Sequence, residues 1–166
     1  MTDMKPMLAI AALLALTASP AITASAQLNM NAPAKGKTYV TYAAEPQTVA
    51  ANKQAMLELR FQIASGYHVN SHTPKSNFLI PTAVTLQPTA GVKAGVPQYP
   101  HGVPYSFSFD PGTKLDVYAG SFTVKLPVVA GSGEHTLEGA LKYQACDNAS
   151  CYPPRTVPIR VLFKAK

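Results

Sequence analysis

The sequence predicts an all-β protein, an antiparallel β-sandwich of immunoglobulin-like shape. Three observations predict it. Four segments alternate apolar and polar residues with a period of two. Clusters of turn-forming residues separate the segments. Beyond the first 26 residues no stretch keeps a helical period over a dozen positions, and fifteen prolines with no tryptophan suit short strands joined by tight turns.

The elements follow in chain order. Lys5 gives a short charged start, weakened by Asp3, and Pro6 to Thr17 is an apolar run shorter than the ~20 residues a membrane span needs. Ala24-Ser25-Ala26 then offers the small-x-small pattern of a cleavage site. Residues 1–26 are therefore expected to be a signal peptide, with an uncleaved anchor as the competing expectation. No cysteine stands near the cleavage point, which argues against a lipid anchor. Residues 27–37, rich in Asn, Ala, Pro and Gly, read as a flexible N-terminal segment. Residues 38–166 are long enough for one domain with a single core.

Within that domain the clearest strand is Leu57 to Ile63, with Leu57, Leu59, Phe61 and Ile63 on one face. Phe122 to Val128, Leu137 to Tyr143 and Val157 to Phe163 repeat the pattern. Weaker strands are expected at Thr38 to Tyr42, Leu79 to Leu86 and Lys114 to Tyr118. Asp110-Pro111-Gly112 and Gly131-Ser132-Gly133 read as turns. Thr48 to Met56 comes nearest to a helical period, and it is short. Gly95 to Phe109 has prolines, glycines and aromatics without alternation; it reads as a surface loop covering the core edge, or as a lid over a reactive site.

The net charge of +6 is spread over scattered lysines, with no basic run. Nucleic acid is a poor fit, and an acidic partner or plain solubility explains the charge. After Pro6 to Thr17 no further apolar run approaches the ~20 residues that span a bilayer.

The chemistry gathers in Tyr143 to Pro154, YQACDNASCYPP, which holds the only two cysteines, Cys146 and Cys151. Both are expected near the surface, in the connection between two strands. Export would place them in an oxidising compartment, where one intramolecular bridge is the natural outcome. Closing a ring of about six residues stabilises by roughly 2 kcal/mol, against nearly 5 for a ring of about 100. So weak a staple favours a redox role over a structural one. Metal binding is the weakest of the three, because Cys-x4-Cys supplies two ligands and His68, His72, His101 and His135 stand at no ligand spacing beside it.

The same segment resembles the active-site run of the N-terminal periplasmic domain of the DsbD thiol:disulfide interchange proteins, in which a similar Tyr-Gln-x-Cys…Cys-Tyr-Pro-Pro occurs. Gly66-Tyr67-His68-Val69-Asn70-Ser71, Phe78-Leu79-Ile80-Pro81-Thr82 and Val117-Tyr118-Ala119-Gly120 add support, so that the resemblance runs from about Thr38 to Phe163. It implies an immunoglobulin-like periplasmic domain, a component of protein-disulfide reduction. Electrons would come from a thioredoxin-like or membrane donor on a separate chain and pass to oxidised periplasmic proteins, with no cofactor and no metal. A monomer is expected.

By position, Cys151 matches the cysteine that forms the mixed disulfide and Cys146 its resolving partner. A phenylalanine loop shields the pair in that family, and Phe107 or Phe109 is the candidate here. The Cys-x4-Cys spacing is one residue shorter than in the best-known members. His68 and Asn70 stand where those members tend to have tyrosines. His68 is thus either a proton acceptor for Cys151 or an exposed loop histidine without a role. Asp147 either disfavours a thiolate at Cys146 or caps the turn. Tyr143 completes the supporting set, and Asn148-Ala149-Ser150 fits a glycosylation sequon. The alternative class is a non-catalytic binding module whose Cys146–Cys151 bridge is a staple.

Overall fold

The computed structural model describes residues 37–107 and 110–166. The expected signal peptide, residues 27–36 and Phe109 lie outside the described residues. Twelve strands and no helix occur among the described residues. In order they are β1 (Val40–Ala43), β2 (Gln47–Val49), β3 (Gln54–Ile63), β4 (His68–Asn70), β5 (Ala83–Leu86) and β6 (Val92–Ala94). Then come β7 (Val103–Phe107), β8 (Asp110–Ala119), β9 (Ser121–Ala130), β10 (Gly133–Tyr143), β11 (Ala145–Cys146) and β12 (Arg155–Ala165).

Two sheets carry the core, one ordered β1-β3-β9-β6 and the other β2-β12-β10-β5. Their inner faces follow from the period-two pattern. Leu57, Leu59, Phe61 and Ile63 on β3 and Phe122, Val124, Leu126 and Val128 on β9 are buried. They share one hydrophobic cluster with Leu137, Leu141 and Tyr143 on β10 and Ile159, Val161 and Phe163 on β12. Each such side chain withdrawn from water contributes about 1.5–3 kcal/mol. The register is continuous along the long ladders, from Gly133↔Ala165 to Tyr143↔Arg155 in one sheet and Gln54↔Val129 to Gln62↔Ser121 in the other. A one-residue slip would turn the whole apolar set to solvent, which is why the pattern specifies it.

A third sheet, β11-β4-β8-β7, is smaller and stands beside these two ladders in the chain path. Gln144 separates β10 from β11, so the chain leaves one sheet and enters another within a single residue. Gly120, at φ 69°, makes the equally sharp passage from β8 to β9.

Several expectations need correction. The sandwich is antiparallel except for β2, which pairs with β12 in parallel. Thr48 to Met56, too short for a helix by its sequence, indeed forms none: it splits between β2, a turn and the start of β3, with Asn52 at a positive φ of 56°, outside the right-handed helical region. Only Ala83–Leu86 of the expected Leu79 to Leu86 strand is extended in a ladder. Asp110-Pro111-Gly112 belongs to β8, not to a separate turn. Phe107 faces Asp110 while Tyr105 faces Leu115, so the intervening β8 residues bulge out, and Asp110 Oδ1 accepts the Thr113 amide at 3.3 Å. The Gly95 to Phe109 segment is not all loop: its latter part is β7, an arm paired to β8.

Candidate functional site

Cys146 and Cys151 form a disulfide with Cα atoms 4.0 Å apart. They face one another across a short hairpin that follows directly from the local sequence. Asp147 Oδ1 accepts the amides of Ala149 and Ser150, each at 2.8 Å, and the Asp147 amide donates to Ser150 O at 2.9 Å. The Tyr152 amide donates to Ala145 O at 2.8 Å and closes the hairpin below the cysteines. Asp147 is therefore a turn cap. Its Oδ2 also accepts the Tyr152 hydroxyl. That hydrogen bond, followed by the two backbone ones, holds the Asp147 carboxyl below its usual range, and the same bond pushes the Tyr152 phenol up to about 12. Asp147 is thus a fixed negative charge beside Cys146.

The two cysteines differ in access. Cys146 is wholly buried on β11, whereas Cys151 is exposed. The expectation that both lie near the surface fails for Cys146, because β11 pairs with β4 as the edge strand of the third sheet instead of forming part of a free loop.

Gln144 is the residue on which this arrangement turns. Its Oε1 accepts Asn70 Nδ2 at 3.0 Å and the Ile80 amide at 3.1 Å, while its Nε2 donates to Tyr152 O at 3.2 Å. One side chain so ties the cysteine hairpin to β4 and to the Phe78–Pro81 segment. Asn70, fully buried, adds a second tie by donating to Ile80 O at 3.1 Å. Reading the sequence alone missed Gln144 as a site residue, although it stands inside the quoted cysteine motif. Asn70 was singled out, and its place is that of a strut.

His68 is neither exposed nor on a loop. It is 4% exposed on β4, directly opposite Cys146 in the antiparallel ladder. The Tyr105 ring lies over it with centroids 4.0 Å apart, and Phe107 is 6.1 Å away. Burial pushes the His68 imidazole below its usual value, with Asp147 pulling weakly the other way. Tyr105 in turn donates to Asn148 Oδ1 at 2.9 Å, so that the β7 arm is fastened to the cysteine hairpin. Of the two phenylalanine candidates, Phe107 stands in this group, and Phe109 lies outside the described residues. Tyr143 is 2% exposed in the hydrophobic cluster, where it supports the sheet beneath the hairpin.

A second aromatic group flanks the other side. Tyr39 stacks on Tyr152 at 5.0 Å, and Tyr67 packs on Tyr39 at 4.8 Å, with the Lys37 ammonium 4.5 Å above the Tyr67 ring. The remaining histidines are placed elsewhere. His72 stacks on Tyr99 and bonds Thr82 O, and His135 bonds Gly131 O. Among the described residues no three His, Cys, Asp or Glu side chains gather in a way that could hold a metal ion.

The sequence matches the family model described as thiol:disulfide interchange protein DsbD, N-terminal, over residues 37–162. No curated protein matches it. Among solved structures it is similar to the reduced DsbD N-terminal domain of Neisseria meningitidis, with 21% identity over 66% of this chain and 81% of that one and a TM-score of 0.43. It is also similar to the complex between the DsbD N-terminal and PilB N-terminal domains of Neisseria meningitidis, with 22% identity, 63% and 73% coverage and a TM-score of 0.44. The N-terminal periplasmic domain of ScsB from Proteus mirabilis follows, with 14% identity over 74% of this chain, 44% of that one and a TM-score of 0.46. The family match spans almost every described residue and includes both cysteines, and on that ground the chain belongs to the DsbD N-terminal domain family.

Proposed function

We propose that this protein is an exported thiol:disulfide interchange domain that carries electrons through the Cys146–Cys151 pair. The donor is a thioredoxin-like or membrane reductase partner, and the acceptors are oxidised periplasmic proteins. The signal-peptide pattern ahead of Gln27 supports the location. The observation that carries the reading is the unequal access of the two cysteines, one exposed and one wholly buried within the same disulfide.

Thiol–disulfide exchange needs that inequality. A donor thiolate attacks one sulfur of the bridge, the bond to the other sulfur breaks, and the displaced cysteine leaves as a thiolate. With Cys151 outermost, the mixed disulfide forms there and Cys146 is displaced inward. A second donor thiol then releases the dithiol form. In the other half of the cycle Cys151 attacks an acceptor disulfide, and Cys146 attacks Cys151 to release the reduced acceptor. Two thiols on one hairpin complete both halves without a large movement, and no bound cofactor enters.

Equilibrating the pair in glutathione or dithiothreitol buffers tests this. The expected reduction potential lies between about −270 and −180 mV, the span from thioredoxin to disulfide isomerase. A value well below about −300 mV marks a bridge that resists reduction, and the protein is then a binding module with a structural staple.

A further inference from the structure

We infer that His68 is the proton acceptor for Cys146, the buried resolving thiol, and so controls the second step of exchange rather than the first. This rests on the interchange function proposed above and assigns a residue within it.

Three observations carry it. His68 and Cys146 are direct partners in the antiparallel β4–β11 ladder. Such residues point to the same face with Cβ atoms about 4.5–5.5 Å apart, within reach of side-chain contact. Cys146 in turn bridges to Cys151, so His68, Cys146 and Cys151 form a row with Cys146 in the middle. Cys151 is thus one strand position farther from His68 than Cys146 is. Second, His68 Nε2 is buried without a hydrogen-bond partner among the described residues. A buried nitrogen without a partner is unfavourable, and reduction of the disulfide would create a thiol beside it. Third, the surroundings suit a neutral acceptor. Tyr105 and Phe107 pack on the ring, and among the described residues Asp147 is the one charged group that acts on it.

The step balances as follows. With an acceptor held on Cys151 as a mixed disulfide, the Cys146 thiol gives its proton to His68 Nε2. The Cys146 thiolate attacks Cys151 Sγ, the Cys146–Cys151 bond forms, and the bond from Cys151 to the acceptor breaks. The electron pair leaves on the acceptor sulfur, which takes the proton back from His68.

Reacting the reduced protein with glutathione disulfide, quenching with acid and weighing the products separates the two steps. In His68→Ala and His68→Gln, formation of the glutathione adduct on Cys151 should keep its rate within about twofold. Its resolution by Cys146 should slow tenfold or more at pH 7, at the lower end of or below usual general-base effects. The rise of the resolution rate with pH should also move toward the ordinary thiol range near 8.5. Unchanged resolution, or an equal loss in both steps, overturns the assignment. If these variants do not fold, the 15N shift of His68 Nε2 in the wild-type protein decides. It should move on reduction, and a shift that stays put overturns the inference. Failure of the first step in the wild-type protein would instead sink the interchange function itself.

Discussion

The long ladders of the two core sheets and the small third sheet are built on opposite terms. Along β3–β9 and β10–β12 every position is paired, and buried residues alternate with exposed ones. The stability there is shared among many interchangeable apolar contacts. In the third sheet the ladders β4–β8 and β4–β11 span only three and two pairs. The geometry depends instead on three side chains, Gln144 and Asp147, each holding two backbone groups, and Asn70, which holds Ile80 O and the Gln144 side chain. Unpartnered buried polar atoms also collect there, on His68, Asn70 and Ser106. The difference teaches where a domain of this kind can store reactivity. A pair that must open and close needs a neighbourhood of few, specific ties, resting on a scaffold that does not depend on them.

If that division is right, damage to the scaffold should change stability and leave the redox pair alone. Leu126→Ala empties a fully buried position on β9. It should cost about 2–5 kcal/mol in urea unfolding, the largest effect expected, while the Cys146–Cys151 reduction potential stays at its wild-type value. A shifted potential would show that the two regions are coupled through the core.

Gln144→Ala probes the other side. It removes the partner of the Ile80 amide and of the Tyr152 carbonyl and one of the two bonds of the Asn70 side-chain amide, at about 1–3 kcal/mol. The loss should be local. Hydrogen exchange at the Ile80 amide should accelerate, and dithiothreitol should reduce the disulfide faster, with β3 and β9 amides unaffected. Uniform acceleration across all strands would break the comparison.

The smallest effect is in pH. Burial holds the folded His68 below its usual 6.5, so the unfolded chain binds the proton more readily. Stability is then full above about pH 6.5 and falls as the pH drops through that value toward the folded one. The Asp147 carboxyl is depressed from 3.8, so its contribution is lost only at more acidic pH. Urea midpoints at pH 7.5 and 5.5 should therefore differ in the wild-type protein and differ less in His68→Gln. Equal slopes would mean that another group dominates this window.

Much of the molecule was legible before any coordinates. The four strong strands appear where the alternation put them, because one-sided burial imposes a period of two on whatever sequence fills it. The cysteine pair and the family resemblance could be read from a single dozen residues, since the chemistry demands those residue types close together in the chain. The weaker elements were harder. The Asp110-Pro111-Gly112 bulge and the parallel β2–β12 pair depend on which distant strand lies alongside, and local propensity carries no information about that.

The sequence by itself determined the all-β architecture, the inner faces of the long strands and the identity of the reactive pair, all of which rest on short-range pattern. Only the tertiary structure decided which cysteine is buried. It alone turned His68 from a loop residue into the cross-strand neighbour of Cys146, and Gln144 from a motif letter into the tie between three segments. These are contacts between β4, β11 and the Phe78–Pro81 segment, which lie up to 74 positions apart in the chain. The switch from β10 to β11 across one residue brings them together, and that change of sheet is a property of the packed fold.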